Sequence, residues 1–299
     1  MGGKRKAEAE DGAADFWKQA RTAANIVVGS WNAQSVLPAT DNNDKLPRLL
    51  PRLPLQPDLL FVQETQLVSA AAQKKLPAAR LLLPGYTFYP VPVAHSVASE
   101  NAAKGTAVYV RDGSLLADGG ALQIDEAADP WGALTVWRCN LGVVIGGRLP
   151  VPTQKNVAAR LRLEDRLEVL LATHRTQLLA VVGDLNDTPD LQLDATQAWT
   201  GAAYKASRDS LNALQQAFGL RDVWRDAHPT ERRWTTYQER EGRSWQARCD
   251  IALVTAAHAA HAEVIIVDGP GFVNAERTKS SGKELAGSDH VPVLLAMRL

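Results

Sequence analysis

The feature that most restricts the fold is a series of short apolar runs, rich in β-branched residues, that break off in an acid or an amide. "NIVVGSWN" ends at Asn32, "PDLLFVQE" at Glu64 and "LLAVVGDLN" at Asp184 and Asn186. "CDIALVT" contains Asp250 at its start, and "VPVLLAMRL" follows Asp289 and His290. Runs of this length and composition read as buried strands. Asn and Asp end strands and make turns for purely local reasons, so any one of them alone means little. Taken together they place a shared site at one edge of a layered sheet structure.

The remaining pattern supports alternating strands and helices. "KGTAVYVR", "LTVWRCN", "LGVVIGGRL", "RWTTYQ" and "AEVIIVD" are further strands. "AARLRLEDRLEVLLATHRTQ" carries Leu161, Leu163, Leu167, Leu170 and Leu171 as a helical stripe, and "SRDSLNALQQAFGL" reads as a helix capped by Ser207 and ending at Gly219. No Gly- or Pro-rich linker interrupts the interior, and no solenoid repeat is present. The expectation is a charged tail over residues 1–24, then one α/β domain over 25–299 with two packed, mainly antiparallel sheets flanked by helices.

Charge and cysteine content narrow the partners. With 33 basic and 33 acidic residues the formal net charge is zero, so no overall cationic field draws in a polyanion, and DNA or RNA would have to be gripped by a local patch. Cys139 and Cys249 have no CxxC or zinc spacing, which argues against a disulfide framework or structural zinc and fits a reducing compartment. No run of eighteen apolar residues and no apolar signal core occurs, so neither a membrane span nor secretion is expected. The expected location is intracellular, nuclear or cytoplasmic. Lys4, Arg5 and Lys6 tilt it slightly toward the nucleus, although so short a basic run is usually a solvated tail.

The polar strand ends have the right chemistry to share a cleft and hold a metal ion. Glu64 and Asp289 offer hard carboxylate oxygens and Asn32 a neutral oxygen, a set suited to Mg²⁺ with water completing its shell. Asp184 and Asn186 are two residues apart, so on an extended segment both point to one side and can act on one atom. Asp187 fits the turn before Pro189. His290 needs a carboxylate to fix its tautomer, and Asp250 can supply it. His95, His174, His228, His258 and His261 read as locally satisfied.

"SWNAQS", "PDLLFVQET", "KGTAVYVR", "VVGDLND", "ARCDIALV" and "GSDHVPV", in this order over residues 26–293, resemble the endonuclease/exonuclease/phosphatase superfamily. This group includes exonuclease III-like abasic-site endonucleases and non-LTR retroelement endonuclease domains. The resemblance implies a four-layer αββα sandwich with the active site at one end of the paired sheets. It implies Mg²⁺, with Mn²⁺ as a substitute, at Glu64 with Asn32 and Asp289. Asp184 would align or deprotonate water, Asn186 would steady phosphate oxygens, and His290 paired with Asp250 would bond the scissile phosphate.

The sequence departs from that pattern in places. Gln34 stands where many family nucleases carry an acid. The family's Tyr-x-Pro-Asn segment finds its nearest match at Pro150, Val151, Pro152 and Thr153, and proline has no phenol. Ala247 precedes Arg248 where abasic-site enzymes often carry an aromatic. Arg232, Arg233, Arg240, Arg243, Arg248, Lys279 and Lys283 cluster in segments that include "ERRWTTYQEREGRSWQAR", and such interleaving of Arg and Trp suits phosphate contacts and base stacking. The expected activity is Mg²⁺-dependent hydrolysis of DNA, with an inositol phosphate, lipid headgroup or RNA end as the alternative substrate. A catalytically weakened nucleic-acid-binding protein of the same fold is the alternative from another class.

Overall fold

In the computed structural model the described residues are 26–34, 45–67, 74, 76–94, 104–153, 155–196, 202–240, 243–267 and 288–299. Twelve strands form two six-stranded sheets. The first has the order β13-β14-β1-β2-β4-β3: Ala262–Ile266, Val293–Met297, Ile26–Asn32, Leu59–Gln63, Thr106–Arg111 and Tyr86–Pro90. The second runs β5-β6-β7-β8-β12-β9: Ala121–Gln123, Leu134–Cys139, Gly142–Arg148, Leu178–Asp184, Asp250–Thr255 and Leu220–Asp222. A separate ribbon pairs β10 (Thr236–Arg240) with β11 (Arg243–Ala247). Pairs β1–β2 and β7–β8 are parallel and the remaining pairs antiparallel.

The sequence expectation of two packed sheets flanked by helices is met. Strands β3, β5 and β9 were not expected: all three are sheet edges, and β5 and β9 have only three residues each, too few to show a period.

Side-chain alternation sorts the second sheet into two faces. Ala180 and Val182 of β8, and Ala252 and Val254 of β12, join the core shared with the first sheet. Val181, Ile251 and Leu253 join the core beneath the helices. Asp184 and Asp250 share the parity of Val182 and Ala252, and Arg148 shares that of Val144, so all three belong to the face between the sheets. The sheets approach closely there: a Cβ added at Gly146 would lie 2.2 Å from the ring of Phe61 in β2.

Helices α3 (Val157–His174) and α5 (Ala202–Phe218) cover the outer face of the second sheet with Leu163, Leu167, Leu170, Leu171, Leu211 and Leu214. Each such side chain contributes roughly 1.5–3 kcal/mol on burial. Short helices α1 (Lys45–Leu49) and α2 (Leu76–Arg80) pack into the core of the first sheet, where Tyr109 of β4 donates its hydroxyl to Ala79 O at 3.2 Å. The other short helices are α4 (Leu191–Asp194), α6 (Val223–Ala227) and α7 (Ala256–Ala259).

Two helix expectations need correction. Leu161 is 55% exposed, so it is not part of the buried stripe of α3, which runs through Ala159, Leu163, Leu167, Leu170 and Leu171. Ser207 does not cap α5, which already includes Ala202. Its buried hydroxyl instead accepts from Arg160 Nη2 and donates to Glu164 Oε1 at 2.9 Å. Gly219 does follow the helix, at φ 62°, the left-handed conformation that commonly ends helices.

Candidate active site

Register creates the site. Arg148 pairs with Asp184 across β7 and β8, and Asp184 pairs with Asp250 across β8 and β12, so three charged residues form one rung of the second sheet on its inner face. One step earlier Gly147 pairs with Gly183. A Cβ at Gly183 would lie 2.1 Å from Gly147 O, and one at Gly147, with φ 151°, would lie 2.0 Å from Ala133 O. Only glycine permits these backbones to approach so closely, and the approach sets Arg148 beside Asp184.

The first sheet supplies the opposite wall. Asn32, at the end of β1, donates Nδ2 to Asp184 Oδ2 at 3.0 Å and to Glu64 Oε1 at 3.2 Å. Its Oδ1 accepts from the Gln34 backbone at 3.3 Å. Asn32 therefore places its side-chain amide against both carboxylates. Glu64 follows β2 with φ 53°, held by the bonds from Thr65 N to Gly105 O and from Gln66 N to Lys104 O. Asn186 has φ 46°, and Gln34 has φ 49°. Left-handed backbone at non-glycine residues costs of order 1–3 kcal/mol and clusters where side chains must be aimed.

Asp184 is fully buried and densely bonded. Its Oδ2 accepts from Asn32 and from Asn186 Nδ2 at 2.9 Å, and its Oδ1 accepts from Asn186 N at 3.1 Å. Asn186 Nδ2 also donates to Leu149 O at 2.9 Å, which ties the ends of β7 and β8 together. Asp187 serves the turn, as Oδ1 accepts from Thr188 N at 2.8 Å. It is also buried, with Oδ2 3.5 Å from Arg160 Nη2. Arg160, reaching up from α3, donates Nη1 to both Pro150 O and Leu185 O and so braces the two strand ends from beneath.

His290 completes the group. Its Nδ1 lies 2.8 Å from Asp250 Oδ2, and its Nε2 lies 3.7 Å from Asp289 Oδ1. Ser288 Oγ donates to Asn32 O and accepts from His290 N, so the last loop is bonded to β1. Thr235 Oγ1 accepts from the backbones of Cys249 and Asp250, and Thr236 bridges to His290. Burial disfavours an imidazolium, but the Asp250 and Asp184 carboxylates outweigh it and push the His290 pKa well above its ordinary value. Burial would likewise raise Glu64; Arg148, then His290, Asn32 and Lys104, hold it below the usual range.

Sequence reasoning missed two members. Cys249 is buried, with Sγ 3.7 Å from Asp250 Oδ2, and burial, then Asp184 and Asp250, push its thiol far up, so it is a neutral donor. Arg148 has Nε 3.0 Å from Glu64 Oε1 and 3.6 Å from Asp184 Oδ2. Strand β7 thus delivers Arg148, and not Pro150, to the carboxylates. The glycine pair before Arg148 was the available signal for a close approach.

A cation is compatible with the donor set. The ligating atoms of Asp184, Cys249, Asp250 and His290 all lie within 4.8 Å of one another, although the neutral Cys249 thiol and the Asp250-bound His290 ring suit a hard cation poorly, so the carboxylates carry the fit. Asp289 Oδ1 and Asp250 Oδ1 are buried with no hydrogen-bond partner, which suits hard carboxylate donors awaiting a positive charge.

The expected basic patch divides. Arg248 is buried, with Nε and Nη2 2.8 Å from the two carboxylate oxygens of Asp194 and Nη2 2.7 Å from Asp222 Oδ2. Arg248, expected to contact a nucleic acid, instead pins α4 and β9 to the start of β12, because two acids distant in sequence meet it in the core. Arg232 is exposed and donates to Gln192 O at 2.9 Å, and Arg233 is half-buried. Arg240 and Arg243 lie on the β10–β11 ribbon. Lys279 and Lys283, like Lys4, Arg5 and Lys6, lie outside the described residues. Among the described residues no helix is long and apolar enough to cross a membrane.

Comparison with known proteins agrees with this geometry. The model of the Endonuclease/Exonuclease/phosphatase family matches residues 29–290. No curated protein sequence matches the chain. Similar solved structures include AP endonuclease LMAP from Leishmania major, with 16% identity over 92% of this chain and 88% of that one at TM-score 0.68. An AP endonuclease from Archaeoglobus fulgidus gives 18% over 92% and 100% at TM-score 0.64. The 3' phosphatase NExo from Neisseria, bound to a product DNA hairpin, gives 21% over 92% and 100% at TM-score 0.64. These identities speak to the fold.

Proposed function

Because the chain belongs to the endonuclease/exonuclease/phosphatase family, we propose that it is a Mg²⁺-dependent hydrolase of phosphodiester bonds in DNA, cutting as an endonuclease of the abasic-site or retroelement type. The observation that carries this reading is the rung Asp184–Asp250 capped by His290, faced across the sandwich by Asn32 and Glu64. DNA is favoured as substrate by the solved neighbours, which include AP endonucleases and a phosphatase holding a DNA hairpin.

Each residue has a role that follows from its bonds. Asp184, with its charge steadied by Asn32 and Asn186, aligns the attacking water and accepts its proton. Asp250 holds Nδ1 of His290 and leaves Nε2 to donate to a phosphate oxygen. Glu64 and Asp289, with Asn32 beside them, would hold the metal ion, and Asn32 also positions Glu64. Bound Mg²⁺ supplies positive charge for the phosphate and leaving oxygens, which carry the charge developed in the transition state. Arg232 and Arg233 would meet neighbouring phosphates.

One panel at fixed Mg²⁺ tests the reading: supercoiled plasmid, an abasic-site duplex, single-stranded RNA and an inositol polyphosphate. Cleavage of the DNA substrates that EDTA abolishes is expected. Turnover confined to the inositol polyphosphate or to RNA would replace the substrate, and binding without turnover on all four would replace the enzyme with a binding protein.

A further inference from the structure

Arg148 is the one cation built into the rung, and its bonding is incomplete. The side chain is 10% exposed, and its Nε lies 3.0 Å from Glu64 Oε1 and 3.6 Å from Asp184 Oδ2 as an ion pair, yet Nε is buried without a hydrogen-bond partner. Among the described residues neither Nη1 nor Nη2 has a partner, although a guanidinium carries five N–H donors in a rigid fork. Other buried arginines of this chain are spent: Arg160 uses Nε, Nη1 and Nη2 on five acceptors, and Arg248 is held by Asp194 and Asp222. The unpaired buried donor is Nε, while Nη1 and Nη2 are not among the buried unpartnered atoms and so are open to a ligand in the cleft.

The direction of the fork is fixed by the backbone. Gly147 and Gly183 lock β7 against β8, Arg148 N donates to Ala133 O at 2.8 Å, and the Glu64 and Asp184 carboxylates lie within ion-pair distance of Nε. Two adjacent N–H₂ groups held this way match two oxygens of one tetrahedral anion, the bidentate geometry in which arginine grips phosphate. Asp184, which would handle the water, is its register partner.

We propose that Arg148 grips the non-bridging oxygens of the scissile phosphodiester through Nη1 and Nη2 and stabilises the charge that gathers there. The proposal rests on the phosphodiester reading above and deepens it. A fixed cation thereby does the work for which the Tyr-x-Pro-Asn expectation sought a phenol near Pro150, so the lack of that tyrosine does not imply a weakened site.

The test compares the full chain with Arg148→Ala and Arg148→Lys on the phosphodiester that the wild type turns over fastest. Arg148→Ala is expected to lose about 100-fold or more in kcat, the scale set by removing one preorganised donor. Millimolar guanidinium chloride should restore part of that loss where NaCl of equal ionic strength does not, and Arg148→Lys should fall between. Activity of Arg148→Ala within about threefold of wild type would overturn the proposal. So would a folded, inactive Arg148→Ala that guanidinium cannot rescue, because Arg148 would then only hold Glu64 and Asp184 apart. Affinity for a short fluorescent duplex in Ca²⁺ separates failure of this proposal from failure of the hydrolase reading. If nothing is turned over, Arg148→Ala binding about tenfold more weakly than wild type still supports the grip, and equal binding overturns it.

Discussion

His290 Nδ1 lies 2.8 Å from Asp250 Oδ2, and both residues are buried between the sheets. The pair fixes which ring nitrogen faces the cleft. Asp250→Asn keeps the shape but gives Nδ1 an amide that can donate, which disfavours the working tautomer. The expected result is a folded protein whose hydrolysis falls by about 10²–10⁴ in kcat, a loss on the scale of general acid–base catalysis. Circular dichroism establishes the fold, and a kcat near wild type would show that Asp250 does not serve His290.

Arg248 is expected to matter for stability and not for substrate. Replacing it with Met leaves Asp194 and Asp222 buried and short of a counter-charge, with Arg225 the remaining cation on Asp194. Breaking a buried ion pair from one side costs about 3–5 kcal/mol, read in urea unfolding. The salt dependence of DNA binding, measured where the variant is folded, should match wild type. A slope reduced by about one would return Arg248 to the nucleic-acid interface.

Gly147→Ala tests the packing that sets the rung. The added Cβ would meet Ala133 O, a backbone atom that cannot swing aside, and φ 151° is a poor conformation for alanine. Destabilisation of about 1–3 kcal/mol or more is expected, with loss of activity beyond the loss of folded protein. A variant as stable and active as wild type would show that β7 has room to shift.

Most of the site could be read from the sequence because Asn32, Glu64, Asp184, Asn186, Asp250 and His290 each interrupt or border an apolar run, and polarity at the end of a buried strand is conspicuous. Arg148 escaped because an arginine ending a strand normally reaches water. Its burial depends on Gly183 and Asp184 of β8, about 35 residues away, and on Glu64 in the other sheet. Arg248 was misread for the same reason, since Asp194 and Asp222 become its neighbours only through the fold. The sheets followed from short apolar runs rich in β-branched residues, whereas three-residue edge strands are too short to form such a run.

Asp129 gives the fold a pH dependence away from the site. Burial raises its carboxyl to about 6, against backbone N–H groups of Leu134, Ala133 and Trp131 and the charge of Arg166, which favour ionisation. A carboxyl with a raised folded-state pKa contributes stability that is fully present below its unfolded value near 4. That contribution is lost as pH rises through about 6. Urea unfolding of wild type and Asp129→Asn at pH 4 and pH 7 should show the wild type losing on the order of 1–3 kcal/mol relative to the variant over this window. A constant difference would mean that Asp129 ionises as freely folded as unfolded.

The central claim is that the strand ends form one metal-dependent hydrolytic site, and the most direct measurement is the rate of Mg²⁺-dependent DNA cleavage by wild type, Glu64→Ala and His290→Ala in parallel. Both variants should remain folded and lose at least ~100-fold, with the wild-type rate abolished by EDTA. Wild-type cleavage rates in either folded variant would contradict the account.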